Sequence, residues 1–124
     1  MGVAKHIWSV ISLWDESGAL APPIDGTALT LQFDGSRISG SSGCNRYSGP
    51  ATFGSSCSVG PLVTTRMMCL RPDGVMEQER HFLELLDRVD RYVIEGADRL
   101  RLLDENREVV VDLESTTTPP GGAP

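Results

Sequence analysis

Apolar and polar residues alternate in short bursts along most of this chain, and one stretch switches to the three- and four-residue step of a helix. Residues 5–14 carry Ile7, Ile11 and Leu13 on one parity and Trp8, Val10 and Trp14 on the other, the pattern of a strand buried on both sides for part of its length. Residues 15–27 contain Gly18, Pro22-Pro23 and Asp25-Gly26, which interrupt regular structure, and read as a long surface loop. Leu29, Leu31 and Phe33 then alternate with Thr30, Gln32 and Asp34, and Asp34-Gly35 offers a hairpin turn before Arg37-Ile38-Ser39. Residues 40–58 are rich in Gly and Ser, with Tyr47 and Phe53 spaced through them, and suit short strands better than a helix.

The helical pattern spans about residues 73–89. Val75, Met76, Glu79, Phe82, Leu83, Leu86 and Val89 recur around polar Glu77, Gln78, Arg80, Glu84 and Asp87, with Asp73 as the expected N-cap after Pro72. Beyond it, Tyr92 and Ile94, Leu100 and Leu102, and Val109, Val111 and Leu113 are separated by polar turns, which predicts a β-meander. Residues 114–124 show no apolar periodicity and end in Pro and Gly, so the folded domain is expected over residues 1–113 with a disordered tail or linker behind it. Seven or eight short strands joined by tight turns favour antiparallel pairing. The expected fold is mainly β: a compact antiparallel barrel with the helix over one mouth or flank.

Length and composition fit one domain: 124 residues, 40% hydrophobic and 23% charged. A net charge of -6 with no basic stripe argues against a nucleic-acid partner. The apolar run over residues 7–13 is broken by Ser9 and Ser12 and falls far short of the ~20 residues of a spanning helix. The first residues lack the apolar region of a signal peptide, so an export signal, for an exported protein, is expected to lie outside this chain. A monomer is expected.

Three cysteines, Cys44, Cys57 and Cys69, have neither Cys-x-x-Cys spacing nor a nearby His pair, which argues against zinc. Two readings stay open from the residues alone: three small buried thiols in a reducing compartment, or a disulfide with one thiol left over in an oxidising one. His6 and His81 have no metal-ligand spacing. Ser, His and Asp are all present, but there is no Gly-x-Ser-x-Gly elbow and His81 falls mid-helix, so no catalytic residue, metal or cofactor is expected.

The most distinctive segments are Gly43-Cys44-Asn45-Arg46-Tyr47-Ser48-Gly49, Thr64-Thr65-Arg66-Met67-Met68-Cys69 and Met76-Glu77-Gln78-Glu79. With the early Trp8, the Leu31-x-Phe33 strand before Asp34-Gly35, Gly60-Pro61-Leu62 and the closing Leu-x-Leu strand, they resemble the META domain, the family of the bacterial heat-shock protein HslJ, over about residues 7–113. The resemblance implies a small, highly curved antiparallel β-barrel-like sheet with one helix, a place in the cell envelope often reached by an export or lipoprotein signal, and a poorly defined molecular activity. It also implies a disulfide between Cys44 and Cys69, leaving Cys57, in a Gly-Ser-rich segment, as a partly exposed free thiol.

Within the family motif, Asn45 is expected to bend the chain, with Gly43 and Gly49 releasing the turn around it. Arg66 is expected to pair with Glu77 or Glu79 and so tie its strand to the helix start. Met67 and Met68 are expected to pack the helix onto the sheet rather than to line an adaptable apolar groove. Two functions follow: a non-enzymatic envelope or stress-associated module acting on an unknown protein through its surface, or a small-barrel carrier of apolar ligands. A cavity above ~300 Å³ lined by Met67, Phe82 or Trp14 would favour the carrier, and an interior plugged by side chains the surface module.

Overall fold

The computed structural model describes residue 3 and residues 6–15, 17–96 and 98–115. Its strands are β1 (Ile7–Trp14), β2 (Leu20–Ala21), β3 (Thr30–Phe33), β4 (Arg37–Ser41), β5 (Arg46–Phe53), β6 (Cys57–Val59), β7 (Val63–Thr64), β8 (Arg91–Glu95), β9 (Arg99–Leu103) and β10 (Val109–Ser115), with the helix α1 (Val75–Asp87) between β7 and β8. Eight strands form one antiparallel path, β6-β5-β4-β3-β1-β10-β9-β8, while two-residue β2 and β7 pair with β1 and β5. The Cys57 amide donates to the Asp90 carbonyl at 3.0 Å, which brings the two ends of the path together into a nearly closed barrel. This is the mainly β, barrel-like sheet with one helix that the alternation predicts, with the high curvature that the resemblance implies. The pairings β1–β10 and β10–β9 each contain a register shift, at Val10/Ser12 and Val109/Val111, and such bulges bend a strand and increase its twist.

Trp8, Leu29, Leu31, Ile38, Tyr47, Leu100, Leu102 and Leu113 fill the interior, and α1 adds Phe82, Leu85 and Leu86. Phe82 meets Tyr47 edge-on with ring centroids 5.8 Å apart. The buried polar ends are satisfied: the Tyr47 hydroxyl donates to the Thr30 carbonyl at 2.6 Å and the Trp8 indole to the Val3 carbonyl at 2.9 Å. Burial raises the Tyr47 phenol well above its ordinary pKa. Gly40 is a place where no side chain fits, because a Cβ there would stand 2.2 Å from the Thr30 carbonyl oxygen.

Three boundaries differ from the sequence reading. Gly74, at φ 84°, occupies the N-cap in place of Asp73, and no side chain caps the helix. The helix stops at Asp87; the Arg88 and Val89 amides bond to the Leu85 and Leu86 carbonyls in a tighter final turn, which keeps Val89 buried past the helix end. β10 runs two residues beyond 113, since Glu114 and Ser115 pair with Ser9 and Trp8. The rest of the expected tail, residues 116–124, lies outside the described residues.

Candidate functional site

Asn45 and Glu79 form a buried polar hub where the β4–β5 turn meets α1. Val75, Glu79, Phe82 and Leu86 share the inward face of the helix, so Glu79 points at the sheet. Its Oε1 accepts from the Asn45 amide at 2.7 Å, the Ser42 hydroxyl at 2.8 Å and the Cys44 amide at 3.1 Å; its Oε2 accepts from Asn45 Nδ2 at 2.8 Å. Burial pushes the Glu79 carboxyl upward, but these bonds together outweigh it and hold its pKa below that of an ordinary glutamate.

Asn45 carries the hub outward to the segment after β7. Its Oδ1 accepts from the Met67 amide at 2.6 Å and the Thr65 hydroxyl at 2.8 Å, while Nδ2 also donates to the Met67 carbonyl at 3.1 Å. One asparagine thus reads both faces of a passing backbone, which demands an amide with donor and acceptor side by side. Gly43, at φ 113°, lets the turn present three groups to one carboxylate oxygen. A Cys44–Cys69 disulfide closes over the same place, with the Cα atoms 5.9 Å apart. Such a bond fits an oxidising compartment rather than the cytosol. Gly49 lies under the chain that leads to β7: a Cβ there would meet the Pro61 carbonyl at 2.5 Å.

Hub and disulfide hold out a ribbon of backbone whose side chains face solvent. Val63, Met67, Met68 and Leu70 are 65%, 58%, 75% and 83% exposed. Met67 and Met68 therefore do not pack the helix onto the sheet. Asn45 holds the Met67 backbone, the disulfide holds Cys69 just after Met68, and Phe82, Leu85 and Leu86 already fill the space under the helix.

A family model for the META domain matches residues 2–117. The chain belongs to the META domain family. An NMR structure of a protein from Burkholderia xenovorans superposes with a TM-score of 0.75 at 26% identity, covering 93% of this chain and 84% of that one. A second NMR structure superposes at 0.65 and 23% identity, covering 90% of each chain. No curated protein matches.

In this META domain the motif residues divide by role. Gly43, Asn45, Thr65 and Glu79 build the hub, Tyr47 and Gly49 belong to the barrel, and Arg46, Arg66 and Glu77 are exposed. Arg66 pairs with neither glutamate, and among the described residues it has no ion pair at all. Glu79 is already saturated by neutral donors, and the chain on both sides of Arg66 is turned toward Asn45, leaving the guanidinium outside. Arg66→Ala should therefore change the unfolding free energy by less than about 1 kcal/mol in a denaturant titration, where a buried pair would cost roughly 3. Asn45 bends nothing through its own backbone, since the positive φ in this turn belongs to Gly43. Cys57 is free but buried, not partly exposed: β6 alternates buried and exposed, placing this thiol inward, and burial raises its pKa.

Asp15, Ser17 and His81 do line one open groove. The wiring there differs from a hydrolytic triad. The Ser17 hydroxyl donates to Asp15 at 2.6 Å, and His81 Nε2–H donates to the Trp14 carbonyl instead of accepting from Ser17. No cluster of three metal-ligating side chains occurs among the described residues. Sequence reasoning missed Ser42 and Gln78, the latter tying the loop before β3 to α1 by accepting from the Ile24 amide and donating to Thr27. Neither carries a local signal.

Proposed function

We propose that this META domain is a non-enzymatic module of the cell envelope, associated with stress, that acts through its outer surface. The observation that carries this reading is the filled interior. Trp8, Tyr47, Phe82 and the surrounding leucines occupy the space a carrier would leave for its ligand. The grooves described on the molecule, such as one of about 490 Å³ between Pro61, Leu62, Thr64 and the outer face of α1, open to solvent, and none has Met67, Phe82 or Trp14 in its walls. Two further features support a surface role: four exposed apolar side chains on a backbone fixed by the hub, and a disulfide that suits an envelope compartment.

Native mass spectrometry of the protein purified from cells tests the reading. The bare polypeptide mass is expected, and a stoichiometric apolar adduct that persists on dilution would establish the carrier instead.

A further inference from the structure

Residues 35–72 contain Arg37, Arg46, Arg66 and Arg71 and not one Asp or Glu. That third of the chain carries +4 within a protein of net charge -6, so the remainder carries -10. The acid-free third includes β4–β7 and the exposed ribbon. The Arg46 backbone lies against Thr65, the residue before Arg66, because the Thr65 amide donates to the Arg46 carbonyl at 3.0 Å and the Arg46 amide to the Thr65 hydroxyl at 3.1 Å. Both side chains are exposed, and neither has an ion pair among the described residues. Arg71 differs, since Asp25 and Asp73 share its groove, so the local charge rests on Arg46 and Arg66.

We propose that the ribbon of Met67, Met68 and Leu70, flanked by Arg46 and Arg66, is a docking surface for an anionic lipid bilayer. The proposal rests on the surface reading above and names its partner. Apolar tips that project at 58–83% exposure beside two guanidinium groups with no ion pair among the described residues match the layering of a membrane interface. There, apolar side chains enter the acyl boundary while arginines meet phosphate oxygens. A helical or proline-rich peptide would need a groove, and none of the described grooves has Met67, Met68 or Leu70 in its walls. Glu84 and Asp87 line the groove beside Thr64, so attraction to the bilayer depends on Arg46 and Arg66 and weakens with salt. The Cys44–Cys69 bond and Asn45 hold the ribbon's backbone before contact, so little conformational freedom is lost on docking.

Co-sedimentation of the full chain with vesicles tests this. With equal parts phosphatidylglycerol and phosphatidylcholine at low salt, the protein is expected in the pellet; with phosphatidylcholine alone, or at high salt, in the supernatant. Met68→Ser/Leu70→Ser and Arg46→Gln/Arg66→Gln should each lower the partition coefficient roughly tenfold while leaving the melting temperature unchanged, since all four side chains are exposed. No binding of the parent to the anionic vesicles, or binding of either variant equal to the parent's, would overturn the proposal. So would a dimer in sedimentation velocity that Met68→Ser/Leu70→Ser abolishes, which would assign the ribbon to a second copy of this chain. A negative vesicle result with a bare polypeptide mass removes the lipid partner alone, whereas a stoichiometric adduct removes the surface reading itself.

Discussion

Glu79→Ala should destabilise this domain by about 3 to 5 kcal/mol, read as a lower denaturant midpoint at neutral pH. The substitution leaves the amides of Cys44 and Asn45, Asn45 Nδ2 and the Ser42 hydroxyl without their acceptor, in a place closed to water. Glu79→Gln is the gentler variant: one amide oxygen still serves the turn, but its NH₂ cannot accept from Asn45 Nδ2, and about 1 to 3 kcal/mol is lost. The pH dependence has a definite sign. The folded pKa of Glu79 lies below the 4.5 of an unperturbed glutamate, so its stabilisation is complete above the unfolded value and fades as pH falls through the folded one. The parent should therefore lose stability in acid more steeply than Glu79→Gln. Equal stability of parent and alanine variant at neutral pH would remove the hub from the list of structural determinants.

Cutting the disulfide, by reduction or as Cys44→Ser/Cys69→Ser, should lower stability by roughly 3 to 4 kcal/mol in the chain-entropy picture, given the separation of 25 residues between the partners. Thiol counting on unfolded, unreduced protein should find Cys57 alone, and in the native protein that thiol should react only as the fold opens. Three reactive thiols would refute the bond. Because disulfide and hub hold the same ribbon, the double perturbation should cost less than the sum of the two, as expected for sites sharing a structural consequence.

The strands and the helix were legible because apolar alternation records which face meets the core, and here each strand of the path has such a face. The two-residue strands were not, since a pair of residues has no period. Glu79 left a trace: it sits in the apolar row of the helix between Val75 and Phe82, where a charge is out of place unless something receives it. Reading the receiver as Arg66 favoured a nearby opposite charge. The fold instead used neutral donors from a turn 34 positions away, a pairing that becomes visible only once α1 lies on the sheet. The disulfide came from resemblance, as three cysteines alone allowed other states. Exposed Met67 and Met68 were misread because apolar type predicts burial only on average.

The place of β1 in the sheet bears on how the chain is made. β1 lies between β3 and β10, and His6 reaches Ser115, 109 positions along, at 3.0 Å. A polypeptide emerging from the ribosome therefore offers its first strand long before the neighbour that covers one of its edges exists. Until β10 emerges, Val10 and Leu13 have no cross-strand partner from it, and the nascent chain carries an open edge of the kind that recruits other strands. The sheet cannot close before β10 has emerged, and that closing step joins segments more than a hundred positions apart, a non-local pairing of the kind that folds slowly. A chain that must wait with such an edge uncovered has most need of a chaperone, or of a short transit time, in the interval between its first strand and its last.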